Sequence, residues 1–246
     1  MPYGERRLIS EFRDLLKKGE FSDFIIYNDF SFYDTNKKGY SHIDFLIVSS
    51  KGLFVVESKY WNGVTYIYDD KCSSIFQGTQ YKGFGVSAEN KTRVFNVKNP
   101  ADSTSKKDNG EKYNKPSEEE LLFSEYKNPI DQACEYREAL AEVLGVGVKV
   151  VKNLIVFSTN DKREVLYNNV RFNCERHGEF TYITTEENIE SCLSKLREDA
   201  EGGIEVDAIN KKIEKLNIRY KLKMDKKNCD EYPYSSMPFD ENQANK

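Results

Sequence analysis

Histidine is scarce in this chain, which holds only His42 and His177 among its 246 residues. A histidine-rich zinc site or a Ser-His-Asp triad therefore has little to be built from. The five cysteines are odd in number, far apart and without Cys-x-x-Cys spacing, so we expect reduced thiols. No apolar run approaches the roughly 18 residues that cross a bilayer, and residues 1–7 lack the apolar core of a signal peptide. These absences predict a cytoplasmic protein with no membrane partner.

The net charge is also small, at −4. It creates no global basic field, so any contact with nucleic acid would need a local patch. Hydrophobic residues make up 38% and charged residues 32%, which is polar for a globular chain, but the 13% aromatic residues provide large pieces of core. We expect one domain over residues 1–222, with a polar insertion at about 69–126 and a weakly structured tail at 223–246.

The sequence HIDFLIVSSKGLFVVESK, residues 42–59, is typical of a β-hairpin. Strand-like runs at 43–48 and 53–59 flank a group of turn-forming residues. Because strand side chains alternate between the two faces of a sheet, Glu57 and Lys59 project to the same side. Each strand of the hairpin therefore contributes charge near one end.

The length of the turn decides which residues oppose each other across the hairpin. A two- or four-residue loop centred on Ser50 and Lys51 sets Asp44 opposite Glu57, whereas a three-residue loop sets Phe45 there instead. Opposed strand residues have Cβ atoms roughly 4.5–5.5 Å apart, so two carboxylates would repel. Either one carboxylate is protonated or a cation lies between them, and a hard divalent ion with oxygen ligands is the simplest such cation.

Two segments repeat apolar residues at helical spacing. In the first, at residues 4–18, Glu5 falls on the core-facing side, where a carboxylate needs a partner. An acidic residue near a helix N-terminus can also simply complement the helix dipole. In the second, at 128–145, Asn-Pro marks the start, and Gln132 and Tyr136 are four positions apart and so share one face.

The remaining pattern predicts further strands at residues 23–33, 64–68 and 153–158. Residues 208–222 have the periodicity of an amphipathic helix that is rich in lysine and arginine. Its charged face could contact phosphates, although a solvated face is the ordinary interpretation.

The order Asp, hairpin, Glu-x-Lys resembles the core signature of the PD-(D/E)XK nuclease superfamily. The segment HIDFLIVSSKGLFVVESKYWNG is similar to sequences of the nuclease-related domain (NERD) branch of that superfamily. GERRLISEFRDLL resembles the family's opening Gly-Glu, with Glu5 as its upstream acidic residue. NPIDQACEY resembles the Asn-Pro…Gln segment, and Gln132 with Tyr136 fits a Gln-x-x-x-Tyr element of exonuclease-like relatives. The resemblance spans residues 3 to about 157, except for a long middle stretch.

The resemblance implies an α/β fold with a restriction-endonuclease-like core, in which helices flank a central mixed β-sheet. It also implies a nuclease that depends on Mg²⁺ or Mn²⁺ and acts on DNA, in DNA processing or in defence against foreign DNA. Lys59 would orient the attacking water and offset phosphate charge, and Gln132 would orient a phosphate or the surroundings of that water. The metal ligands would be Asp44, Glu57, the backbone carbonyl of Ser58, and Glu5 directly or through a water.

Aromatic residues near this site could contact nucleic acid. Tyr60 and Trp61 could stack on an unpaired base or pack against a neighbouring strand, and Tyr136 is a third candidate. Glu57 and Lys59 could also be no more than a surface ion pair worth at most about 1 kcal/mol. The alternative function is a catalytically silent, nuclease-like module that binds nucleic acid or protein, and a homodimer is compatible with either function.

Overall fold

The computed structural model describes residues 3–59, 64–68, 93–98, 122–123, 129–158, 170–174, 179–216 and 218–231. The helices in these ranges are α1 (Tyr3–Lys17), α2 (Pro129–Leu144), α3 (Ile189–Glu198) and α4 (Val206–Lys215). The strands are β1 (Ile25–Asp34), β2 (Gly39–Ser49), β3 (Gly52–Lys59), β4 (Val64–Tyr68), β5 (Arg93–Lys98), β6 (Leu122–Phe123), β7 (Val151–Phe157), β8 (Val170–Cys174), β9 (Glu179–Thr185) and β10 (Leu222–Met224).

Seven of the described strands form one mixed sheet in the order β10-β1-β2-β3-β7-β9-β8. The central strands β3, β7 and β9 are parallel, and the other neighbours pair in antiparallel fashion. Strands β4, β5 and β6 form a second, antiparallel sheet. Two of these, β5 and β6, come from the predicted insertion at 69–126, whose other residues lie outside the described ranges.

Helices cover both faces of the large sheet. The apolar side of α1 packs with α3 against one face, and α2 packs with α4 against the other. Alternation along β3 shows the division, because Phe54 and Val56 belong to the first cluster and Leu53 and Val55 to the second. The fold is therefore α/β with a mixed sheet between helices, which confirms the predicted class and agrees with a restriction-endonuclease-like core.

The hairpin of β2 and β3 has the even loop that one of the two predicted registers requires. Ser50 and Lys51 form a two-residue turn, and Leu46 lies opposite Val55. This pairing places the carboxylate-bearing positions of both strands at the same level, which is the condition for a shared site.

Asp29 in β1 has a φ of 54°, which lies in the left-handed region. Regular alternation would put Tyr27 and Phe30 on opposite faces, but both belong to the cluster beneath α2 and α4. The left-handed residue between them resets the alternation. Aspartate tolerates this conformation better than most residues other than glycine.

The C-terminal part of the described chain differs from its sequence pattern. Helix α4 ends at Lys215, whereas the periodicity predicted a helix over 208–222. Arg219 instead bridges to Ser31 of β1, and β10 then pairs with β1 as an edge strand. The weakly structured tail was expected to begin at residue 223, but regular structure continues to Glu231, and residues 232–246 lie outside the described ranges.

Two other features bear on the expectations from composition. Cys192 and Cys229 are free and buried, but Cys134 is disulfide-bonded, so the expectation of reduced thiols is wrong for that residue. None of the helices within the described ranges has the length and apolar character that a bilayer crossing requires.

Candidate active site

Two acidic residues meet where β2 and β3 separate. Extending the hairpin register one step beyond the Phe45–Val56 pair sets Asp44 opposite Glu57. The Asp44 carboxylate accepts a hydrogen bond of 2.8 Å from the backbone N–H of Ser58. Burial raises the pKa of Asp44, and the Ser58 N–H partly opposes this effect. The structure therefore brings together the two carboxylates that the sequence predicted.

Glu57 is the most strongly perturbed carboxyl group of the pair. Only 1% of this residue is exposed, and among the described residues its Oε1 has no hydrogen-bond partner. Burial, followed by repulsion from the Asp44 carboxylate, raises the pKa of Glu57 to about 8. Without a cation, Glu57 is therefore largely protonated at neutral pH.

Lys59 connects this acidic pair to helix α2. Its Nζ lies 3.1 Å from Glu57 Oε2 and donates a 3.1 Å hydrogen bond to Gln132 Oε1. The amide nitrogen of Gln132 then donates to the hydroxyl of Tyr136 at 2.9 Å. Because the Tyr136 bond engages Nε2, the amide oxygen faces Lys59. This chain of contacts holds the lysine beside Glu57.

Glu5 approaches the same centre from the first turn of α1. It is buried, and burial followed by repulsion from Asp44 raises the pKa of its carboxyl group. Asn28 Nδ2 contacts Glu5 Oε2 at 3.3 Å and donates to the Asp44 carbonyl at 3.0 Å. Asn28 therefore connects the helix carboxylate to the strand that carries Asp44.

Asp29 and His42 also lie beside Asp44, with Asp29 on strand β1, across β2 from Glu57. Asp29 occupies the position in β1 between the pairs Asn28–Phe45 and Phe30–Ile43, which is level with Asp44. His42 lies between the two aspartates, with Nδ1 3.1 Å from Asp29 Oδ1 and Nε2 3.7 Å from Asp44 Oδ1. Lys221 forms an ion pair with Asp29.

The donor set suits a hard divalent cation. Glu57 Oε1 is a buried oxygen without a hydrogen-bond partner in the described part, and the nearby Asp44 carboxylate repels it. Within the described residues, no three acidic, histidine or cysteine side chains already converge as a metal-binding group. Mg²⁺ does not require three such side chains, because it commonly keeps several waters and takes one or two carboxylates. The arrangement therefore fits an ion held by two carboxylates together with backbone oxygen and water.

Residues 3–99 match the nuclease-related domain model. Over this segment the match is consistent with the family to which the sequence motifs pointed. The matched nuclease-related segment contains Glu5, Asp44, Glu57 and Lys59, but it ends before the helix that carries Gln132. Comparisons with curated proteins and with solved structures gave no match.

Two predicted contact residues of the nuclease-related segment, Tyr60 and Trp61, lie outside the described residues. Ser58 is placed with its N–H toward β2, whereas the carbonyl of the next residue, Lys59, accepts a bond from Ser158 beyond β7. Backbone groups of one strand residue point to the same side, so the Ser58 carbonyl also faces the side of Asp44. Tyr136 is tied to Gln132, and its contact with nucleic acid stays a prediction.

Sequence reasoning missed the importance of Asn28 and His42. The signal for Asn28 was an amide inside the aromatic strand FIIYNDFSF, where a buried polar side chain must find hydrogen-bond partners. His42 is two positions before Asp44 in the same strand, and its ring lies 3.7 Å from that carboxylate. The sequence pattern also gave no sign of the left-handed backbone of Asp29.

Proposed function

We propose that this protein is a divalent-metal-dependent nuclease that hydrolyses phosphodiester bonds of DNA. The observation that carries the proposal is Glu57, a buried carboxyl group opposed by Asp44 and contacted by the Lys59 ammonium at 3.1 Å. A buried acidic pair with an adjacent lysine is costly unless a ligand compensates it. DNA processing or defence against foreign DNA, within the cytoplasm, is the setting we propose.

Each side chain has a distinct role in this proposal. Asp44 and Glu57 would hold Mg²⁺ or Mn²⁺, with the Ser58 carbonyl as a neutral oxygen ligand. When bound, the ion supplies positive charge to the scissile phosphate and lowers the pKa of a water. Lys59 orients the attacking water and offsets negative charge on the phosphate, because its ammonium is a compact donor fixed beside Glu57.

Two supporting residues keep these groups in place. Gln132 is a positioning residue, because its amide oxygen fixes the Lys59 ammonium. Glu5 is connected to the centre through Asn28, and its carboxyl group is close enough to Asp44 for repulsion to raise its pKa, so it would accept a hydrogen bond from a water there. Loss of either should weaken activity less than loss of Glu57 or Lys59.

Cleavage of supercoiled, linear duplex and single-stranded DNA tests the proposal, with Mg²⁺, Mn²⁺ or EDTA. We expect metal-dependent cutting that falls by about 10²-fold or more in Glu57→Gln and in Lys59→Met, a loss typical of removing one catalytic group. Glu198→Gln and Lys195→Met change exposed residues of α3 and serve as matched controls. Cleavage by the Glu57 and Lys59 variants at the rate of the wild type would refute the assigned centre.

The alternative is a silent module that binds nucleic acid without cutting. The observation in its favour is that no three metal-ligating side chains converge in the described residues. Calorimetric titration with Mn²⁺ separates the two functions. The nuclease requires a binding signal that Glu57→Gln abolishes, whereas a folded wild type that neither binds Mn²⁺ nor cuts any DNA would support the silent module.

A further inference from the structure

Strands β1 and β2 extend past the end of their contact with β3 as a two-stranded ribbon, residues 30–34 and 39–43, here called the outer ribbon. One side of the ribbon is buried, because Phe30, Phe32 and Ile43 belong to the core beneath α2 and α4. The other side carries Tyr33 and Tyr40. It is the accessible side.

The exposed side of the outer ribbon is aromatic. Tyr33 and Tyr40 are a directly opposed pair with ring centroids 5.7 Å apart, and they are 51% and 66% exposed. Among the described side chains only one other large apolar residue, Leu216, is exposed. A cross-strand ring pair can stabilise a hairpin by itself, but that role does not require both rings to face water.

Basic groups lie beside these rings. The Arg219 guanidinium is 5.8 Å from the centroid of the Tyr40 ring, and the exposed Arg219 bridges to Ser31 on β1. One step closer to the candidate centre, Lys221 neutralises Asp29. Cations interleaved with exposed aromatic rings are the composition of surfaces that bind single-stranded nucleic acid.

The same surface leads directly to the candidate centre. Tyr40 and His42 alternate along β2 and therefore project to one side, and His42 Nε2 lies 3.7 Å from Asp44 Oδ1. At about 3.3 Å per strand residue, Tyr40 is roughly 13 Å from Asp44 along the strand. A base stacked on Tyr40 and a phosphate at Asp44 would thus lie a few nucleotides apart on one DNA strand.

We propose that Tyr33, Tyr40 and Arg219 form a stacking platform for an unpaired DNA strand that enters or leaves the candidate centre. This inference rests on the proposed function and specifies its substrate: DNA that is single-stranded next to the cleavage position. A paired duplex end does not satisfy the platform, because its bases are already stacked on one another and do not present free faces.

Fluorescence anisotropy with a labelled oligothymidylate, in EDTA so that no cutting occurs, tests the platform. Base stacking on an aromatic ring is worth about 1–3 kcal/mol, so Tyr40→Ala and Tyr33→Ala should each weaken binding roughly 5- to 150-fold. Tyr40→Phe and Tyr33→Phe keep the ring and should bind within about twofold of the wild type. Arg219→Ala should weaken binding, whereas Lys195→Ala should not, because α3 packs on β9, which is separated from β1 by three strands of the sheet.

The outcomes are decisive. Wild-type affinity in both alanine variants, an equal loss for a duplex of the same length, or no binding of oligothymidylate by the folded wild type would each overturn the platform. Because both tyrosines are exposed, the alanine variants are expected to unfold at denaturant midpoints near that of the wild type. The assay needs no catalysis, so failure of the nuclease proposal appears in the cleavage experiment and failure of the platform in this one.

Discussion

Replacement of Glu57 by glutamine should stabilise the metal-free protein while it removes activity. The ordinary pKa of the carboxyl group is 4.5, and in the fold it is about 8. At about 1.36 kcal/mol per pH unit, the ionised form costs the folded state on the order of 5 kcal/mol above pH 8. At pH 7 the folded protein keeps its proton while the unfolded chain releases one, and the cost is about 3 kcal/mol. Glu57→Gln keeps the shape and removes this cost.

The sign of the pH dependence follows from the raised pKa. Below pH 4.5 the carboxyl group is protonated in both states, so wild type and Glu57→Gln should differ little. Between pH 4.5 and 8 the unfolded chain binds fewer protons than the folded one, so the wild type loses stability as the pH rises. The advantage of Glu57→Gln should therefore grow through this window and level off above pH 8.

Denaturant unfolding in EDTA at pH 5, 7 and 8.5 measures these differences. Glu198→Gln, an exposed change at the end of α3, is the control and should alter the free energy of unfolding by less than about 0.5 kcal/mol. Addition of Mn²⁺ should raise the stability of the wild type and not of Glu57→Gln. A Glu57→Gln protein that is no more stable than the wild type at pH 7, or whose advantage is the same at all three pH values, would refute the reasoning.

Two glycine substitutions test the positions that shape the site. A Cβ on Gly4 would lie 2.9 Å from the hydroxyls of Ser58 and Ser158. Alanine is favoured over glycine in a helix, but this close contact outweighs that preference, so Gly4→Ala should lower the free energy of unfolding by about 1 kcal/mol. The same contact should displace α1 enough to lower cleavage activity. Gly145→Ala should cost about 1–2 kcal/mol, measured by denaturant unfolding, because φ is 56° at the end of α2, without a specific effect on cleavage. Gly19→Ala, with nothing near its Cβ, is the control for both, and equal stability of all three variants would contradict these expectations.

Much of the candidate centre could be predicted from the sequence because its periodicities are local. The alternation in β2 and β3 predicted Asp44 opposite Glu57 for an even turn, one of two turn lengths that the sequence left open, and helical spacing placed Gln132 next to Tyr136. None of these steps needed long-range information. The predicted roles of these residues stay proposals, since the geometry alone does not show catalysis.

The features that the sequence did not reveal depend on contacts between distant segments. The predicted amphipathic helix extended to residue 222, but pairing with the open edge of β1 outweighs that local preference, so that Arg219 forms a bridge and residues 222–224 form a strand. Asn28 and Asp29 acquire their importance only when β1 lies between β10 and β2. The disulfide of Cys134 is likewise a long-range property that spacing along the chain did not indicate.

The parallel pairing of β3 with β7 has a consequence for how the protein folds. Leu53 pairs with Val151, almost a hundred positions later, so a large loop must close before the two strands meet. Such non-local pairing is slow, and until it forms β3 presents an unpaired edge that can join another chain. During synthesis, Glu57 and Lys59 leave the ribosome well before β7, the strand that pairs with β3. A fragment limited to residues 3–99 would keep that edge open permanently, and we expect it to aggregate rather than to fold.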